Sequence, residues 1–131
     1  MKGYIIMQTL QTVTLFENIK IETKQLSLRE LAVLLSENYD KIGSISHYCI
    51  FVCALRKLEM IDLTYDDLAA ILKKFFSLKN IQIKTTGKSI AFYTSKINKG
   101  EIDIYKAWPK SSRVTTSKLI DSELEDIFAG L

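Results

Sequence analysis

Apolar positions along the chain switch between two periods. Residues 12–24 alternate: Ile19, Ile21 and Thr23 fall on one side and Lys20, Glu22 and Lys24 on the other, after a β-prone Thr12 to Phe16. This predicts a strand or hairpin over 12–24, turning near Glu17 and Asn18. Helical spacing takes over at Ser27, where Ser27 and Glu30 have the spacing of a capping box and Leu28, Leu31, Leu34 and Leu35 share a face. Gly43 is positioned to stop that helix. A second helix follows in SISHYCIFVCALRKLEMI, with Ile45, Cys49, Val52 and Leu55 in one stripe flanked by Tyr48, Phe51 and Leu58. A helix apolar around most of its circumference belongs in the middle of a fold. The third helix begins at the capping pair Thr64 and Asp67 and buries Leu68, Ile71, Leu72, Phe75 and Phe76, giving a three-helix core over 27–79.

Beyond Asn80 alternation returns. Ile81, Ile83 and Thr85 alternate with Gln82 and Lys84, TTGK reads as a turn, and Ile90 and Phe92 alternate with Ala91 and Tyr93. A second turn at NKG leads to Ile102 and Ile104 between Glu101, Asp103 and Tyr105. This pattern predicts a three-stranded antiparallel meander over 81–108. In the last stretch, 117–131, Ile120, Leu124, Ile127, Phe128 and Leu131 lie on one helical face, with Asp121, Glu123, Glu125 and Asp126 on the others. The expected architecture is one α+β domain: a three-helix core, a meander and an acidic amphipathic C-terminal helix.

Composition refines the picture only slightly. With 131 residues, 47% of them hydrophobic and 25% charged, the chain has the size and balance of a single globular domain. The charge-free run Ile42 to Leu55 has 14 residues, whereas a membrane-spanning helix needs about 20. The first residues, MKGYIIMQTLQT, lack a long apolar stretch followed by a small-residue cleavage site, so a cytoplasmic protein without membrane association is expected.

Charge is distributed unevenly. Residues 1–72 carry −2, residues 73–118 carry eleven Lys or Arg against two acids, or +9, and residues 119–131 carry four acids and no base. Lys84, Lys88, Lys96, Lys99, Lys106, Lys110 and Arg113 could form a cationic surface that exchanges counterions with phosphates, and Tyr93, Tyr105 and Trp108 could stack on bases or pack at its rim. Alternatively, lysines at turns and edges protect exposed strands from pairing with other chains. The C-terminal helix is expected to fold back on its own core; otherwise Leu124, Ile127, Phe128 and Leu131 are candidate anchors for a partner's groove, and its four acids could also lie over the basic meander and compete with nucleic acid.

The segment LSLRELAVLLSEN…SISHYCIFVCALRKLEMIDLTYDDLAAIL resembles winged-helix domains in its hydrophobic spacing, notably at ALRKLEMIDL, and the order of three helices followed by a hairpin agrees. Departures are a missing glycine after the second helix, a long gap between the first two helices, and a third strand added to the wing. FVCALRKLEMIDL is also similar to small winged-helix accessory subunits of ABC-type ATPase systems, some found in anti-phage (antiviral) defence. The resemblance implies DNA binding, with the third helix in the major groove. That helix presents Tyr65, Asp66 and Asp67 at its start and no Arg, Asn or Gln before Asn80, so base reading is disfavoured and backbone contact through the wing remains.

Catalytic chemistry finds little support. Cys49 and Cys53 stand on one helical face at a spacing unsuited to a disulfide, and with His47 they supply no complete zinc set, since the chain holds no other Cys or His. They read as packed core thiols. A single glycine in TTGK, placed between strands, makes no phosphate loop. Glu101, Asp103 and Lys106 echo a nuclease set, but a strand would put Lys106 on the face opposite both acids. The expectation is therefore a non-catalytic protein without cofactor or metal. It is either a nucleic-acid-associating subunit or regulator, with DNA favoured over RNA, or an interaction adaptor or inhibitor in a larger defence, ATPase or phage-related complex. In the second case its basic face meets an acidic protein surface, and a homodimer is a further option.

Overall fold

A computed structural model describes residues 11–109, and within them a β-hairpin precedes five helices. Strands β1 (Thr12–Leu15) and β2 (Ile19–Glu22) pair antiparallel with Leu15 opposite Ile19, and they turn through Phe16 and Glu17 at positive φ of 52° and 59°. A bulky residue in the left-handed region is strained by about 1 kcal/mol or more. Phe16 is nonetheless buried, and its backbone N–H donates to the Ile104 carbonyl at 2.8 Å. Its side chain fills the core instead of facing solvent.

Helix α1 (Leu28–Glu37) starts at a complete capping box between Ser27 and Glu30, and Lys24 adds an ion pair to Glu30 at 3.0 Å. The short α2 (Tyr39–Ile42) ends at Gly43, whose φ of 83° favours glycine. Helix α3 (Ile45–Lys57) buries every residue from Tyr48 to Leu55, so neighbours cover it on all sides. Helix α4 (Tyr65–Ser77) is capped reciprocally by Thr64 and Asp67 and buries Leu68, Ala69, Leu72, Phe75 and Phe76. Arg56 fixes the connection between these helices: its Nε donates to the Leu63 carbonyl at 2.9 Å while its guanidinium lies 4.7 Å from the centre of the Tyr65 ring.

The expected meander is not formed. Residues 81–86 are extended but unpaired, Gly87–Asn98 is helix α5, and 99–109 is irregular. Thr86 is the N-cap, accepting a hydrogen bond from the Lys88 N–H at 3.2 Å, while the Ser89 hydroxyl accepts one from the Thr86 N–H at 3.4 Å. TTGK is thus a helix start and not a turn between strands. Ile90, Tyr93, Thr94 and Ile97 have i, i+3, i+4, i+7 spacing, and α5 packs this side against α3 and α4. The expected wing is absent with it: the described residues contain one two-stranded sheet, N-terminal to the helices, and no hairpin after them.

Alternation in the flanking segments does mark inside and outside. Ile83, Thr85, Ile102 and Ile104 are buried, whereas Gln82, Lys84, Glu101, Asp103 and Tyr105 are exposed. An extended chain laid on a core shows period two without any strand partner. The acidic helix expected over 117–131 lies outside the described residues. Among the described residues no helix is long and apolar enough to cross a membrane.

Candidate functional site: a lysine-rimmed groove

The turn after α4 brings two separate lysines together. Lys73 and Ser77, one helical turn apart on the exposed side of α4, face Gln82, Ile83, Lys84 and Thr86 of the extended segment across an open groove of about 520 Å³. Ile83 is buried beneath it, and both lysines are exposed at its rim. No acid lines this groove. Its lining combines the buried Ile83 with two lysines, the hydroxyls of Ser77 and Thr86 and the Gln82 amide.

The remaining predicted basic residues sit on different elements, with different partners. Lys88 is exposed on the first turn of α5, beside Thr86 and so adjacent to the groove. Lys96 pairs with Glu101 at 3.1 Å and sits 5.1 Å from the Phe92 ring centre. Lys99 is the C-cap of α5, and Lys106 follows in the irregular segment, both exposed. Lys79, at the end of α4, lies 4.7 Å from the Tyr39 ring centre and 5.3 Å from that of Phe75. Lys110 and Arg113 lie outside the described residues, as do Leu124, Ile127, Phe128 and Leu131.

The predicted base-stacking aromatics are placed differently from one another. Trp108 is already stacked on both faces: the Phe16 ring lies 3.9 Å away at 3° and the His47 ring 4.3 Å away at 10°. Its indole N–H donates to the Lys41 carbonyl at 3.0 Å. Neither face is available to a base. Tyr93 packs partly buried against the core and meets Phe92 edge-on at 5.1 Å. Tyr105 is 51% exposed and is the member of the set that solvent reaches most freely.

Titratable groups with catalytic potential are held by structure. Burial lowers the His47 pKa, opposed by hydrogen bonds that the imidazole donates to the backbone carbonyls of Ile42 and Pro109. Cys49 and Cys53 are buried free thiols, pushed up to about 12 and about 11 by desolvation. Their four-residue spacing serves packing: Cys49 shares a hydrogen bond with the Thr85 side chain. Cys53 donates to the Ile90 carbonyl at 3.4 Å and accepts from the Thr94 hydroxyl at 3.3 Å. Both sulfurs therefore tie α3 to the segment that carries the groove and α5.

This burial predicts a pH dependence. The thiols stay neutral in the fold but ionise near their ordinary value of 9.0 in the unfolded chain, so their contribution is intact below pH 9 and is lost as pH rises toward 11–12. Between pH 8 and 10.5 the unfolding free energy from urea titration should fall by roughly 2 kcal/mol per thiol more in the native chain than in Cys49→Ala/Cys53→Ala. Equal losses in the two proteins would show that the thiols play no part.

The other sets do not assemble. Asp103 accepts from the Tyr105 N–H at 2.9 Å, and Glu101 is paired with Lys96, so the two acids serve local structure. Among the described residues no three His, Cys, Asp or Glu side chains converge as a metal site. The start of α5 carries the Gly87-Lys88-Ser89 end of a phosphate-loop sequence, but Asp66 already occupies its approach. A β-carbon at Gly87 would lie 2.0 Å from Asp66 Oδ1. A carboxylate at a helix N-terminus complements the dipole there and repels a phosphate.

Sequence reasoning missed Lys73 as a site residue. Its charge was counted, but its position opposite Lys84 depends on the reversal between Ser77 and Gln82. Comparison of the chain with protein-family models, curated proteins and solved structures finds no match in any of the three.

Proposed function

We propose that this chain is a non-catalytic interaction module whose groove between α4 and residues 82–86 binds an acidic, amphipathic protein segment. The observation that carries this reading is the groove's composition, with buried Ile83 as floor, Lys73 and Lys84 on opposite rims and no carboxylate in its lining. An amphipathic helix places apolar anchors on one side and charges beside them, which matches such a surface. The buried thiols and the stacked histidine support a role without covalent catalysis.

Nucleic acid is the second reading, favoured by the net +9 of residues 73–118. A phosphate backbone needs several cations along a track and shows a steep salt dependence. It gains no use from the apolar floor, and Trp108 is unavailable for stacking. Titration of the full chain with a Glu- and Leu-rich helical peptide, and separately with duplex DNA, single-stranded DNA and RNA across a salt series, separates the two. Saturable peptide binding with weak, nonspecific nucleic-acid binding is expected. Tight nucleic-acid binding with a steep salt slope, and none of the peptide, would transfer the function to the second reading.

A further inference from the structure

The chain carries a segment with the chemistry that this groove fits. Residues 119–131 contain Asp121, Glu123, Glu125 and Asp126, with no Lys or Arg, and their apolar residues Leu124, Ile127, Phe128 and Leu131 recur at helical spacing. Geometry permits the visit. Trp108 stacks on His47 in the first turn of α3, and Thr85, beside the groove, bonds Cys49 two residues further along that helix. The described fold thus ends near the same end of α3 that the groove segment covers. From Pro109 to Asp121 is a span of about a dozen residues, able to reach roughly 40 Å when extended. A domain of this size has a radius of gyration of roughly 14 Å. The groove, beside the same end of α3 at which the described fold ends, is therefore within reach.

We propose, resting on the reading of the groove given above, that residues 119–131 dock in the Lys73–Lys84 groove of their own chain and compete there with an external acidic segment. Apolar anchors would cover Ile83 while the four acids sit between the lysine rims. The local concentration of a tethered segment is set by its linker, so even a weak contact is populated in the absence of a competitor. The tail is then a regulator of access, displaced by a partner that binds more tightly.

The test uses the full chain with Ser122→Cys carrying a nitroxide. Cys49 and Cys53 are buried, with thiol pKa values pushed up to about 12 and about 11, so labelling falls on position 122. Paramagnetic broadening of the Lys73, Ser77, Gln82, Ile83 and Lys84 amide signals is expected, and its loss in Lys73→Glu/Lys84→Glu. Absence of broadening at these amides, broadening that survives the charge reversal, or broadening transferred between separately labelled chains would each overturn intramolecular docking.

A second arm changes Asp121→Asn, Glu123→Gln, Glu125→Gln and Asp126→Asn together. It should raise the affinity for an added acidic helical peptide by about fivefold, as expected when a competing state is removed. Groove broadening in a chain that binds no added peptide supports the docked tail and removes the interaction-module reading. Equal peptide binding by both chains, without broadening, does the reverse.

Discussion

Replacing Trp108 with alanine is expected to destabilise the fold by about 3 kcal/mol, at the lower edge of the range for removing a packed tryptophan because the side chain is only partly buried. Three losses combine. The stacks on Phe16 and His47 disappear, and stacked aromatic pairs are worth roughly 0.5–1.5 kcal/mol each beyond their buried area. The Lys41 carbonyl loses its indole donor. The left-handed backbone at Phe16 also loses the ring that pins its side chain, which leaves the strained hairpin turn held chiefly by the Ile104 hydrogen bond and the Phe51 contact. Equilibrium urea unfolding measures the change, and Trp108→Phe should recover part of it by restoring a ring without the N–H. A Trp108→Ala protein of native stability would mean that residues 104–108 do not clamp the hairpin.

Reversing both groove lysines is expected to do the opposite, removing binding while sparing the fold. Lys73→Glu/Lys84→Glu converts two attractions into two repulsions at exposed positions. With each exposed charge pair worth up to about 1 kcal/mol, affinity for an acidic helical peptide should fall by roughly 2 kcal/mol, or about 30-fold. Stability should stay within about 0.5 kcal/mol, since both side chains are exposed and neither is in an ion pair among the described residues. Lys96→Glu is the matched control. It breaks the pair with Glu101 and the contact over Phe92, so it should cost a little stability and change peptide affinity much less.

The hairpin and the helices of residues 27–79 were legible because their signals are local. Capping residues three apart, leucines at helical spacing and a positive-φ stop at Gly43 each act within one or two turns of chain. Helix α5 was misread because Ile90 and Phe92 satisfy a period of two while Ile90, Thr94 and Ile97 satisfy a period near 3.6. Phe92, which the strand reading placed on the same side as Ile90, is 54% exposed on the helix, whereas Ile90 is buried. The Thr86 cap was obscured because the reciprocal residue is Ser89 and not Glu or Gln.

Nonlocal relations had no signature of that kind. Phe16, His47 and Trp108 are far apart in sequence and meet through tertiary packing, so the tryptophan read as a free aromatic within a basic stretch. The excess of lysine after residue 72 was visible, but its division was not. Among the described residues, Lys79 and Lys96 are engaged by rings or an acid, and Lys73 and Lys84 line a groove. Surface position decides that division, and it follows from α5 replacing the meander.

Chemical-shift mapping of the isotope-labelled full chain with an acidic, amphipathic helical peptide tests the groove most directly. The groove as binding site predicts saturable shifts concentrated at Lys73, Ser77, Gln82, Ile83, Lys84 and Thr86. Shifts gathered at Lys99, Tyr105 and Lys106, with the groove amides unmoved, would contradict it.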